Sequence, residues 1–140
     1  MITKEEIINL LNQDLTKEYS AAVQYIQHSA VLTGPSFQSI QKELLIHADE
    51  EIIHAKSLAN QITFLGGIPT MDVSERFTSN ENIELLKQDL KGEYDAINRY
   101  KERIEQAEQL KEYGLRRALE DILIIEEEHA RDLQDALEKN

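Results

Sequence analysis

The chain has 140 residues, enough for one domain, and a net charge of −12 from 15 basic and 27 acidic side chains. That balance argues against a nucleic-acid surface, which needs clustered Lys and Arg, and favours attraction of small cations. The absence of Cys excludes disulfides, thiolate metal sites and cysteine nucleophiles.

No apolar run approaches the ~20 residues that span a membrane. The start, MITKEEIINL, lacks the basic-then-apolar order of a secretory leader, so the expected location is cytoplasmic. Only five Gly and two Pro punctuate the chain, and most cluster at Gly34-Pro35 and at Gly66-Gly67-Ile68-Pro69.

The first predicted helix covers about 3–32, with Thr3 and Glu6 as a capping box. The second covers about 36–65, with Ser36 as its cap. The third covers about 80–109, opened by Thr78 and Glu81, and the fourth covers 112–138. Gly92 falls inside the third helix, where Gly costs about 1 kcal/mol against Ala.

Short turns join the first helix to the second and the third to the fourth, so each pair is an antiparallel hairpin. The connection from Gly66 to Asn80 is long and has no helical period. Fifteen extended residues reach at most about 50 Å, and a thirty-residue helix is about 45 Å long. The connection can therefore cross the bundle lengthwise and leave the second and third helices parallel. The expected fold is an all-α four-helix bundle with one long crossover, occupying 1–140 as a single domain.

The sequence overlays itself at an offset of 75. Glu18, Glu51 and His54 meet Glu93, Glu126 and His129. Leu11, Gln13, Asp14, Leu15, Tyr19, Ala21 and Tyr25 meet Leu86, Gln88, Asp89, Leu90, Tyr94, Ala96 and Tyr100. One helical hairpin is written twice, and two copies about a pseudo-twofold axis make a four-helix bundle. Glu51 and His54 lie three apart on one side of a helix, as do Glu126 and His129. Glu18 and Glu93 sit in mid-helix among inward-facing residues.

Four ionised carboxylates in an apolar interior need a counter-charge. The pattern offers no Lys or Arg at matching inward positions. Two divalent metal ions would balance four carboxylates, with two imidazoles completing the ligand set. Oxygen and nitrogen donors without thiolate suit iron or manganese. One Glu from each of two helices plus Glu-x-x-His from each of two others is a di-metal carboxylate constellation.

Several further residues share this neighbourhood. His47 is on the Glu51–His54 stripe, as an entry group or, by preference, a packed core histidine. His28 is off the Glu18 stripe and expected near the surface. Asp14 and Asp89, one turn before Glu18 and Glu93, are candidates to accept from the metal-binding imidazoles. The hydroxyls of Tyr25 and Tyr100 are expected near the ligand carboxylates. The run Ile122 to Ile125 forms a wide apolar belt suited to subunit contact.

Across nearly the whole chain the sequence resembles the bacterioferritins of the ferritin-like superfamily. The matching segments are KEYSAAVQY around Glu18, HADEEIIHA with Glu51 and His54, the connection LGGIPTMDV, LKGEYDA with Glu93, and IEEEHARDL with Glu126 and His129. The resemblance implies two irons per chain on these six residues, with Mn or Zn as possible substitutes. It implies Glu51 and Glu126 as the bridging pair, and Tyr25 as an electron donor beside the site. It further implies Fe(II) oxidation by O2 or peroxide.

Two departures shape the expectation. The haem-ligating Met that follows the second-helix Glu in that family is Ile52 here, so no haem of that type is expected. The short fifth helix that helps build the 24-subunit cage in that family has no match in this sequence, so a homo-oligomer is expected, with a storage cage, a twelve-subunit shell and a dimer as the alternatives. The rival functions are a di-iron peroxidase or oxygenase on another substrate, and a metal-binding bundle without turnover.

Overall fold

The computed structural model describes residues 1–139. Among these there are four long helices and no strand: α1 Lys4–Val31, α2 Gln38–Phe64, α3 Asn82–Gln109 and α4 Tyr113–Lys139. Each is within about two residues of its predicted span. Thr3 caps α1 as expected, its hydroxyl accepting from Glu6 N at 3.1 Å while Glu6 Oε1 accepts from Thr3 N at 3.3 Å.

The other two predicted caps do not form. Ser36 lies within a 3-10 turn, Pro35–Phe37, and α2 starts after Phe37 without a side-chain cap. The Thr78 hydroxyl is used elsewhere, donating to Gln27 Oε1, and α3 begins four residues later at Asn82. At the far end of α2, Gly66 at φ 95 donates to Thr63 O and Gly67 donates to Ile62 O, a Schellman stop. A Cβ on Gly67 would come 2.6 Å from Ile8 Cγ2, so this turn also needs a small residue to pack on α1.

Cross-helix bonds give the topology directly. Between α1 and α3, Asp14 pairs with Arg103, Glu18 with Tyr100, and Gln24 and His28 with Asp89. Numbers rise on one helix as they fall on the other, so α1 and α3 are antiparallel. His47–Asp132 and Glu50–His129 show the same for α2 and α4. The helices α2 and α3 are therefore parallel, joined by the crossover as expected.

That crossover is an extended strap along α1, tied down by α1 side chains. Asn12 accepts from Thr70 N and donates to Ile68 O. Ser20 donates to Ser74 O and Glu75 O, and Gln24 Oε1 accepts from Phe77 N. A long irregular segment is stable here because the helix supplies partners for its backbone.

The bundle interior has three layers. One apolar cluster gathers Ile7, Leu11, Leu15, Leu58, Ile62, Tyr100, Leu115 and Leu119. A second gathers Tyr25, Leu32, Leu44, Leu85, Leu86 and Leu133. Between them lies a layer of buried acids and imidazoles.

His28 is fully buried, against expectation. The strap covers that flank of α1: His28 Nε2 lies 2.8 Å from Phe77 O and Nδ1 lies 2.9 Å from Asp89 Oδ2. Asp14 and Asp89 do not reach the Glu-x-x-His imidazoles. Asp14 accepts from Arg99 and Arg103, whereas Asp89 accepts from Gln24 and bonds His28. At the offset of 75, Gln24 and His28 are the counterparts of Arg99 and Arg103. The same scaffold position is thus held by two guanidinium groups in one half and by an amide and an imidazole in the other. Arg103, only 3 % exposed, is a buried cation that the pattern did not reveal, but it serves Asp14.

Burial pushes the Asp89 carboxyl up despite its partners. At His28 burial acts against the charge, but Asp89 outweighs it and raises the imidazole above its ordinary 6.5. A raised His value means that the charged pair contributes fully below about pH 6.5 and fades as pH rises through the folded value. The stability difference between wild type and His28→Gln, measured by urea unfolding, is therefore expected to be largest at pH 5.5–6.5 and to shrink as the solution becomes alkaline.

Candidate metal centre

Glu18, Glu51, His54, Glu93, Glu126 and His129 all face the central layer, and none is more than 5 % exposed. They fall into two overlapping groups able to hold a cation. One is Glu18, Glu51, His54 and Glu126; the other is Glu51, Glu93, Glu126 and His129. Glu51 and Glu126 belong to both.

The distances show why. Glu51 Oε1 lies 3.2 Å from His54 Nδ1 and 3.5 Å from His129 Nδ1. Glu126 Oε1 lies 3.5 and 3.3 Å from the same two nitrogens. Glu18 Oε2 is 3.7 Å from His54 Nδ1, and Glu93 Oε2 is 2.9 Å from His129 Nδ1. All six residues anticipated from the repeat therefore come together.

Five of the donor atoms are also left unsatisfied. Glu18 Oε2, Glu51 Oε1, both oxygens of Glu126 and His54 Nδ1 are buried without a hydrogen-bond partner. Native interiors hold few such atoms, and these converge on one place. Oxygen and imidazole donors aimed at a common point fit divalent cations.

Protons partly offset the charge. Burial, followed by the charge of Glu126, raises Glu18 and raises Glu51 and Glu93 well above the carboxylate range. Burial also disfavours ionised Glu126, but the closeness of His129 and Glu51 and the charge of the nearby imidazoles together hold it below that range. Burial opposes charge on His129, yet Glu126 and Glu93 raise it to about 11. His54 is raised in the same way, chiefly by Glu18 against the pull of burial.

Around this cluster the halves differ. Tyr100 donates to Glu18 Oε1. Its counterpart Tyr25 is 2 % exposed and its hydroxyl has no partner; burial and the charge of Glu93 push that phenol well up. The Tyr25 ring instead meets His47 edge-on at 5.1 Å and His129 at 6.1 Å. His47 is a buried core histidine, as preferred from sequence, stacked on His129 at 3.9 Å. Burial and then the charge of His129 lower it to about 4. Glu50, which sequence reasoning passed over, sits 3.1 Å from the outer Nε2 of His129. Its signal was position, since it lies between His47 and Glu51 in the same motif.

A cleft of about 620 Å³ between α1, α3 and the strap leads from the surface to Glu18, Tyr25, Glu51, Glu93 and Glu126. Gly92 lines its wall, and a Cβ there would meet nothing within 4 Å. The helix-weakening Gly therefore leaves the cleft open at this wall.

Glu51→Gln removes an acid from the crowded layer. In metal-free protein at pH 7 this change is expected to raise the unfolding free energy by ~1–3 kcal/mol. The same variant should lose most of the stabilisation that Zn(II) gives wild type. Urea titrations with and without the metal read both effects.

Comparison with known proteins places these features in a family. The model of the ferritin-like domain matches residues 8–140. The chain is 33% identical to a bacterioferritin of Brucella melitensis over 134 residues, covering 95% of this chain and 83% of that one. Among solved structures it resembles a ferritin-like, diiron-carboxylate protein from Bacillus anthracis, with a TM-score of 0.92, 33% identity and coverage of 98% and 99%. It also resembles a dodecameric thioferritin, the bacterioferritin-related protein of Bacteroides fragilis, with a TM-score of 0.91, 32% identity and coverage of 99% and 88%. With a duplicated hairpin, a long crossover and a layer of acids and imidazoles at its centre, the chain belongs to the ferritin-like family.

Proposed function

We propose that this chain is a haem-free ferroxidase that binds two Fe(II) on Glu18, Glu51, His54, Glu93, Glu126 and His129. It transfers one electron from each to a shared oxidant. Those two electrons and two protons convert O2 to hydrogen peroxide, or peroxide to water. The observation that carries this reading is the sharing of Glu51 and Glu126 between two four-residue groups, five of whose donor atoms lack hydrogen-bond partners. A single-cation site would not need two such groups. The names of the relatives, bacterioferritin and diiron-carboxylate protein, agree with it.

The chain's own groups have distinct parts in this reading. Carboxyls raised by burial give up protons as cations arrive, so charge in the layer stays balanced. Glu18 is oriented by the Tyr100 hydroxyl, and His129 by Glu50. The unpartnered Tyr25 hydroxyl is free to give an electron and a proton beside the centre. The cleft past Gly92 admits the oxidant. Its size also admits a small organic molecule, which favours an oxygenase or peroxidase as the second reading.

Assembly follows from a different surface. Val23, Ile26, Leu45, Ile46, Ile52 and Ile53 are 41–61 % exposed. At the offset of 75 their counterparts are Asn98, Lys101, Glu120, Asp121, Glu127 and Glu128. One hairpin thus exposes apolar residues where the other carries polar ones, as expected if the α1–α2 face packs on another copy. The belt anticipated on α4 is mostly taken up internally: Ile122 is in the core, and only Ile124 is widely exposed. A homo-oligomer is proposed on this basis, in keeping with the dodecamer formed by the thioferritin.

Anaerobic Fe(II) titration of metal-free protein, followed by an O2 or peroxide pulse with optical detection, tests the function. Saturation near two irons per chain and fast paired oxidation are expected, with both lost in Glu51→Ala and Glu126→Ala. Wild-type rates in either variant would refute the assignment. Oxidised organic products with inert Fe(II) would favour the second reading. Gly92→Leu gains helix propensity, about 0.5–1 kcal/mol, yet should slow oxidation while leaving the two-iron stoichiometry intact.

A further inference from the structure

We propose that His28 is a proton-operated latch: it pins the strap over the cleft while charged and lets that segment loosen when it gives up its proton. What it regulates is the entrance, because Ser74, Glu75 and Phe77 of the strap line the cleft that leads to the central layer. That the entrance serves an oxidant rests on the ferroxidase reading above; the latch itself does not.

A closed ring of hydrogen bonds forms the latch. Gln24 Oε1 accepts from Phe77 N at 2.9 Å, and Gln24 Nε2 donates to Asp89 Oδ1 at 2.9 Å. His28 Nδ1 lies 2.9 Å from Asp89 Oδ2, and its Nε2 lies 2.8 Å from Phe77 O. Two α1 side chains thus clamp both the N–H and the carbonyl of Phe77, and each is anchored on α3 through Asp89. His28 is fully buried and Asp89 is 3 % exposed, so a bond lost here is not readily replaced by water.

Both neighbours of the imidazole are acceptors when Asp89 is ionised, and only the charged ring has a proton for each. A neutral ring has one N–H. The bond to a carboxylate is the stronger of the two, so that proton stays at Nδ1. Nε2 then turns a lone pair on the Phe77 carbonyl, and the strap loses its tie. Shifting a proton from the ring to Asp89 keeps both bonds, so the latch opens only when the pair as a whole loses one. Asp89 of α3 is the charge that acts on the ring, α1 adds the neutral Gln24, and Glu75 and Arg76 of the strap are exposed. Burial disfavours the charged ring, but Asp89 and the Phe77 carbonyl outweigh it, so the folded value lies above 6.5. With a raised value the latch is closed in acid and opens as pH rises through that value.

The repeat supplies the contrast. Gln24 and His28 stand where the other half has Arg99 and Arg103. Those guanidinium groups bond Asp14 and keep their charge at any physiological pH. Both arrangements fix α1 against α3, so closing the bundle does not call for a titratable group. The titratable one sits in the half whose bonds continue to the strap. The ties from Asn12 to Ile68 and Thr70, and from Ser20 to Ser74 and Glu75, use amides and a hydroxyl. Loosening is therefore centred on Phe77.

The test uses metal-free full chain, which keeps it independent of iron chemistry. Between about pH 6 and pH 9, NMR follows the His28 ring and the protection of the Phe77 amide, corrected for base-catalysed exchange. It also follows the broadening by dissolved O2 of the methyl signals of Ala21 and Ala96, which line the cleft. In wild type, protection is expected to fall about five- to tenfold and O2 broadening to rise, both at the midpoint of the ring. The Thr70 amide, held by Asn12, should not follow. In Asp89→Asn the side-chain oxygen still accepts from Gln24, and the new amide donates to Nδ1 of the neutral ring. Nε2 then keeps its proton, and the strap should stay closed in alkali. In His28→Gln both signals should be flat with pH. Protection that ignores the ring titration, a response shared by Thr70 or retained in both variants, or a loosened strap with unchanged O2 broadening would overturn the proposal. A latch that behaves as expected in a chain that fails to oxidise Fe(II) would sustain it while refuting the ferroxidase reading.

Discussion

Four carboxylates meet in the middle of this bundle with no Lys or Arg among them, and the rest of the architecture answers to that fact. A buried, unpaired carboxylate costs several kcal/mol even after relaxation. The metal-free layer lowers the cost with protons: three acids shift toward their neutral forms, and two imidazoles shift toward their charged forms. That arrangement leaves lone pairs without partners, which an apolar core would not. The apolar clusters on either side hold the helices firmly enough to keep the layer from relaxing apart. Stability is concentrated away from the centre, where the acids and imidazoles are left with unmet bonding capacity.

Duplication makes the layer simple to build. Once one hairpin places a Glu in mid-helix opposite a Glu-x-x-His, a second copy about a twofold axis completes a symmetric pair. The scaffold then needs to lock the relative rotation of α1 and α3. It does so twice at equivalent places, with Asp14 on Arg99 and Arg103, and with Asp89 on Gln24 and His28. Position is kept while chemistry changes. The strap explains the difference: it crosses α1 beside His28, and its Phe77 carbonyl takes the second imidazole nitrogen. A guanidinium can bond that carbonyl too, but the ring satisfies both partners from its two opposite nitrogens.

Much of this was legible in sequence because it is local or periodic. Helix spans, hairpin pairing and the crossover follow from breaks and reach. The six acids and imidazoles of the central layer follow from i, i+3 spacing and the shared offset. What was misread depends on packing between elements. His28 points off the Glu18 stripe, which suggests solvent until an irregular strap is known to cover that flank. Asp14 looked available to an imidazole because Arg99 and Arg103 belong to another helix, whose rotation no pattern states. The Thr78 cap failed because its hydroxyl is committed to Gln27. Capping signals compete with tertiary partners, and a strap packed along a helix has many.

The same duplication separates demands on the fold from demands on the surface. Residues that both halves share, such as Leu11 and Leu86 or Leu58 and Leu133, fill the core in each copy. Those positions answer to closure of the bundle. Where the halves part, closure cannot be the cause, because the other copy closes with a different residue. Ile52 and Ile53 opposite Glu127 and Glu128 therefore report a task of the first hairpin's outer face alone, and His28 opposite Arg103 reports a task of the strap-covered flank alone. A duplicated chain carries its own control at each paired position, so a departure from the repeat says more about function than burial or charge read singly.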